Sequence, residues 1–464
     1  MKSNRGTRLR AIVAGVCLLV FSGSARAEDC KGQSSWVTKP SLPDFASEPT
    51  TPCSFHQGSW MTFLYLTQPV EKEVLRFQTY ESLSQLFPAA PTAAASACAQ
   101  KNPKRQVFLP RVGKSNDDRV PSIDQAGSLG VLVDQDKNVT LYQQYFDPIF
   151  SSFVKVCDLT TRGCETADPT LRAPLGSLLL KASWRAIKRD DPNYARFFTL
   201  KDRSYDDPQS GKCVTTDVAM VGFHLVYAPA GHPELVWATF EHAANAPEGR
   251  CTGGTTTPPT GFSSWLYNDP KSTDCSKIND WPYDADHPSP VPYLKTQTVR
   301  NWPSGVNPED SASAENLDDI KQLNASISGL LPSGSVWKNY FLVGSVWSKG
   351  GALPADPAKL AGSTLLANAT METFVQATNP LDANGPGSCF SCHNTTAINI
   401  DAPPPTSVNP QPVHVVHALT NGTAGKCSWT QQTMPAACKA TQPKAITKTT
   451  AAAQSSAIKP IASH

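Results

Sequence analysis

The sequence predicts an α+β fold: a β-rich N-terminal part followed by a C-terminal region of short helices and loops. The strongest β signal is a pair of apolar runs, 219–227 and 235–242, flanking the turn-former cluster Pro229-Ala-Gly-His-Pro233. Proline and glycine number 40 and 28 in 464 residues, which favours long ordered loops over a helical bundle. Helical periodicity is confined to three stretches.

In chain order, residues 1–10 carry Lys2, Arg5, Arg8 and Arg10 without an acid, residues 11–20 are apolar, and Ala25-Arg26-Ala27 follows. A basic start, a short apolar centre and an A-x-A site read as a secretory signal peptide over 1–27, too short to span a bilayer. A β-rich domain is expected over 28–300. Within it, 71–87 is expected as a helix, with Val74, Phe77, Tyr80, Leu83 and Phe87 along one side and Pro88 as its stop. Residues 107–109 are strand-like, 130–134 and 139–142 form a hairpin, and 177–187 reads as a strand. Residues 251–308 are rich in Gly, Pro, Ser and Asp and read as irregular connection.

The region 301–438 starts with a helix over 316–331, bearing Leu317, Ile320, Leu323, Ile327 and Leu330 on one face, and a strand over 337–347. A helix over 364–377 is expected behind Ser363 as N-cap. Residues 439–464 lack apolar anchors and are expected to be a disordered tail.

Removal of 1–27 deletes five basic residues and leaves 36 basic against 39 acidic side chains. That balance offers no basic stripe for nucleic acid. No later apolar run approaches the 18 residues of a membrane span, so no span remains after signal removal. The nucleophile-elbow, HExxH, P-loop and GxGxxG patterns are all missing from the sequence.

Twelve cysteines remain after the signal, an even count that suits disulfides in an oxidising compartment. Local pairs Cys157–Cys164, Cys251–Cys275 and Cys427–Cys438 are expected, with Cys30, Cys53, Cys98 and Cys213 left without a preferred pairing. Two others stand apart. Cys389-Phe390-Ser391-Cys392-His393 is CxxCH, the attachment pattern of haem c. The two thiols add across the haem vinyl groups, and His393 follows as proximal ligand to the iron. A redox CxxC would favour a preceding hydrophobic strand, whereas Asn384-Gly-Pro-Gly-Ser precedes this motif. A zinc site would need a second CxxC or a close histidine pair.

With Cys389, Cys392 and His393 behind a signal peptide, the chain resembles bacterial exported, periplasmic c-type cytochromes, as a large monohaem member with a long extra N-terminal region. The resemblance implies one covalent haem c, single-electron transfer and a redox partner protein. The stretches 236–242 (VWATFEH) and 366–374 (LANATMETF) are similar to ones in large exported monohaem proteins.

What the chain does then turns on the group opposite His393. A strong sixth ligand makes a carrier, and an open position permits oxygen or peroxide chemistry. Met371 and Met434 are the candidate thioether ligands, with His414 and His417 as the histidine alternative. In the hairpin, a register pairing Met220 with His242 places His224 and His242 on one face, about 13 Å apart, too far to share a metal. Glu241 then faces away from His242. Electron transfer is the leading reading. The chain length motivates a haem-dependent oxidoreductase, peroxidase- or oxygenase-like, with a substrate pocket in the β-rich part. A binding or scaffold protein is a third reading.

Overall fold

The computed structural model describes residues 29–87, 98, 107–108, 131–162, 171–207, 210–249, 257–272, 274–280, 294–351, 359–376, 389–393, 423–424, 433 and 435–438. The expected signal peptide and tail lie outside the described residues.

The fold is α+β, built on one nine-stranded sheet. Its strands are β1 (Glu81–Ser82), β2 (Val107–Phe108), β3 (Leu141–Phe146), β4 (Leu178–Ile187), β5 (Thr199–Asp206), β6 (Cys213–Tyr227), β7 (Val236–His242), β8 (Tyr340–Ser348) and β9 (Leu360–Gly362). The main path runs β9-β8-β7-β6-β4-β3-β1 with every neighbour antiparallel. The 15-residue β6 is long enough to pair β4 along one edge and both β7 and β5 along the other; β2 adds to β5 in parallel. Strands from both sides of residue 300 share this sheet.

One sheet face is an apolar core. Helix α1 (Pro52–Leu66) and helix α3 (Ser311–Leu330) pack there, and Phe63 stacks on Phe240 at 4.1 Å between centroids. Leu323 and Ile327, on the expected face of α3, are fully buried in this cluster. The other face carries helix α2 (Pro148–Val156), whose Phe150 packs with Leu179 and Val226, and the segment 363–376.

The hairpin over 131–142, the strand at 178–187, the β6–β7 pair and the α3 helix agree with expectation. Two expected helices do not form. Residues 71–87 divide into Val74–Leu75, a 3-10 turn at Arg76–Thr79, β1 and a single turn at Leu83–Leu86. Gln78 takes the Leu75 N–H and Gln85 the Ser82 N–H, so side chains satisfy donors that a helix would use. Over 364–377 the chain makes successive turns and one 3-10 segment, Thr373–Val375. There Asn368, Thr370 and Glu372 bond to the sheet or across their own turn rather than facing solvent from a helix.

The disulfides also depart from expectation. Cys157 pairs with Cys438, which overturns both Cys157–Cys164 and Cys427–Cys438. Cys30 pairs with Cys53 and Cys98 with Cys213. Cys275 is disulfide-bonded, while Cys251 lies outside the described residues. Local spacing misled because the sheet brings distant segments together: Thr423–Ala424 pairs in parallel with Thr161–Arg162, close in sequence to the Cys157–Cys438 link. No helix among the described residues is long and apolar enough to cross a membrane.

Candidate functional site

The CxxCH motif opens on a one-turn helix, α4 (Cys389–Cys392), and His393 N–H donates to the Cys389 carbonyl at 2.8 Å. Phe390 anchors this turn in a buried cluster with Val343, Val346 and Leu366. Cys389 is half-buried at the rim, its Sγ 3.9 Å from the Leu366 carbonyl.

The imidazole of His393 lies against Trp237, with ring centroids 4.2 Å apart and planes inclined by 42°. Trp237 meets Phe390 nearly edge to face, at 6.0 Å and 72°. It stands on β7 in the middle of the sheet, opposite Val226 of β6 and Val346 of β8, and its Nε1–H donates to the Glu234 carbonyl at 3.2 Å. The motif therefore rests on a rigid central strand rather than on loops alone.

The stretches 236–242 and 366–374 meet across this face. Arg300 Nε donates to Glu241 Oε2 at 2.8 Å, and Ala369 N–H donates to Glu241 Oε1 at 2.7 Å. Asn368 Nδ2 donates to Thr239 Oγ1 at 2.7 Å and to the Phe240 carbonyl. The Ser183 and Thr370 hydroxyls are 2.7 Å apart, and Tyr142 OH donates to the Thr370 carbonyl. Gly222 permits this approach, because a Cβ there would fall 2.5 Å from Thr370 Oγ1 and 2.6 Å from Ser183 Oγ. Glu241, Thr239, Asn368 and Thr370 are fully buried, so these bonds are made without competing water.

Met371 follows Thr370 in this segment and is fully buried. Within the segment, Leu366, five positions earlier, meets the motif. Met434, His414 and His417 lie outside the described residues.

The β6–β7 register differs from expectation by one residue. His224 faces Thr239, and Trp237 faces Val226. A one-residue slip reverses a strand's faces, so His224 and His242 do not share a side. His224 joins Glu241 on the segment's side, where its Nε2 is 2.8 Å from Glu372 Oε1. Burial raises the Glu372 carboxyl, but the charge of His224 and its hydrogen bond outweigh that and hold it below the usual range. His242 is buried against Phe197 at 4.2 Å. Its Nδ1 accepts from Ala244 N–H and its Nε2–H donates to the Arg196 carbonyl, an arrangement that suits the neutral ring. Burial pushes this histidine down to about 3. It is a core residue.

Two thiols followed by an imidazole are the donor chemistry that a covalent haem would take, with Cys389 and Cys392 as thioethers and His393 as ligand. Cys389 is half-buried, and one face of the His393 ring lies against Trp237. Two other groupings among the described residues place sulfur and carboxylate close together, Cys30, Cys53 with Asp319 and Cys98, Cys213 with Asp206. In both the sulfurs are joined to each other and offer no thiolate. Comparison with protein-family models, with curated proteins and with solved structures finds no match.

Trp237 as the neighbour of His393, and the Glu241–Arg300 pair, were not legible from residue spacing. What the sequence offers is the pair of stretches 236–242 and 366–374, which the fold joins.

Proposed function

We propose that this chain is an exported, periplasmic c-type cytochrome that binds one haem through Cys389 and Cys392 and passes single electrons to a redox partner protein. The observation that carries the reading is the CxxCH turn seated on the central strand through Trp237 and Phe390. The haem-bearing region is the C-terminal part, 301–438, and it shares the sheet with the β-rich part through β8 and β9.

A haem held there supplies a one-electron couple. Cys389 and Cys392 give the covalent links, so affinity of the pocket need not retain the group alone. His393 is the proximal ligand, and its N–H bond to Cys389 fixes the backbone that carries the ring. Phe390 holds the turn in the apolar cluster with Val343, Val346 and Leu366. Met371 and Met434 are the proposed choices for the distal ligand.

The test is production in a host that matures c-type cytochromes, followed by reduced spectra of the wild type, Cys389→Ala/Cys392→Ala and Met371→Leu. The reading expects a sharp six-coordinate α-band that ignores carbon monoxide, lost in the double variant. A change in Met371→Leu alone assigns the distal ligand to that residue. Rapid carbon monoxide binding by the wild type would move the reading to the oxidoreductase.

A further inference from the structure

We infer that Trp237 is the positioning residue for the iron-ligating imidazole of His393 and biases the haem toward its ferric state. The inference rests on the haem reading above and deepens it. The indole is held at its backbone and at its ring. Its backbone is in the middle of the sheet, paired on both sides, and its Nε1–H donates to the Glu234 carbonyl at 3.2 Å. Phe390 closes a third side at 72°. The indole also meets the His393 ring, at 4.2 Å between centroids.

Two effects follow from that contact. The first is steric: His393 is tied through its N–H to Cys389, and rotation of its ring about the Cβ–Cγ bond drives it into a plate that does not move. The plane of the imidazole is therefore set by β7, not by the short turn that carries the ligand. The second is electrostatic. The face of an indole is electron-rich and attracts positive charge. A ligated imidazole carries more positive charge when its iron is ferric than when it is ferrous, so the indole favours the oxidised form. Glu234, whose carbonyl anchors the indole, has its own carboxyl turned to His232 Nδ1 and the Ser348 N–H, so it holds the indole through its backbone alone.

The experiment compares haem-loaded full-length wild type, Trp237→Phe and Trp237→Leu by redox titration and by ferric electron paramagnetic resonance. Trp237→Leu is expected to keep one haem per chain, to raise the midpoint potential, and to lower the ferric-to-ferrous ratio at fixed poise by roughly three- to tenfold. Its ferric g-values should shift as the ring plane is released. Trp237→Phe keeps a plate but loses the anchor, and should fall between the two. A loaded Trp237→Leu with wild-type potential and g-values overturns the inference while leaving the haem reading intact. If Trp237→Leu does not mature, Trp237→Phe decides: an unchanged potential and spectrum overturn the inference, and a partial shift supports it. A colourless wild type removes the haem reading and this inference together.

Discussion

Glu241 and Arg300 form a buried ion pair, 2.8 Å from Oε2 to Nε, and the second carboxylate oxygen of Glu241 accepts the Ala369 N–H. One side chain thus ties β7 both to the connection at 300 and to the segment that leads toward the CxxCH turn. Replacing Glu241 by Leu strands a buried guanidinium and should cost about 3–5 kcal/mol. Glu241→Leu/Arg300→Leu should recover most of that loss in urea denaturation. A double variant as unstable as the single one contradicts this account of the pair.

Gly222 should not tolerate a side chain. An added Cβ meets two hydroxyls at 2.5 and 2.6 Å, both on backbone that the sheet or the docked segment holds in place. Gly222→Ala should destabilise by about 1–3 kcal/mol, as overpacking does. Gly222→Ala/Thr370→Gly should regain part of the loss because one of the two clashes is gone. Thermal unfolding of both variants checks it.

Acid should weaken the fold through its buried histidines. Burial lowers His56 to about 4 and His242 to about 3 from the usual 6.5, so the unfolded chain takes up protons that the folded chain refuses. Stability therefore falls as pH drops from about 6.5 toward 4, by up to about 1.4 kcal/mol per pH unit for each ring. His56→Gln removes one of these rings, and the difference from wild type isolates it from the titrating carboxylates. Equal slopes in wild type and variant between pH 6.5 and 4 contradict the assignment.

The disulfides should rank by the loop they close. Cys30–Cys53 spans 23 residues, Cys98–Cys213 spans 115 and Cys157–Cys438 spans 281. In the chain-entropy model, serine pairs at the first should cost about 3 kcal/mol and at the second about 4.7 kcal/mol, with the third costing at least as much as the second. Denaturant midpoints under oxidising conditions test the order, and a reversed order contradicts it.

The sheet was legible where the pattern was local and strong. Residues 219–227 and 235–242 are long apolar runs about a turn-former cluster, and they form β6 and β7. The register was not, because slipping by one residue keeps every local preference and changes only which face meets the core. His224 and His242 show the consequence. Two further helices carried start signals that periodicity alone did not expose: Thr51-Pro52 with Ser54 makes a capping box for α1, and Asp147-Pro148 caps α2. In the opposite sense, 364–377 has helical spacing, yet its polar residues are taken up by Thr239, Ser183 and His224 of the sheet, contacts that no local rule encodes.

The candidate site divides the same way. CxxCH was legible as five adjacent residues, because its chemistry depends on spacing along the chain. Trp237 was not, since it lies 156 positions before His393 and only the pairing of β7 with β8 brings the two together.

Mass spectrometry of the purified chain from a host that matures c-type cytochromes, read beside its pyridine haemochrome spectrum, tests the central claim most directly. The account predicts a mature polypeptide heavier by one haem, with the added mass on the peptide containing Cys389 and Cys392. A colourless protein with the mass of the polypeptide alone contradicts it.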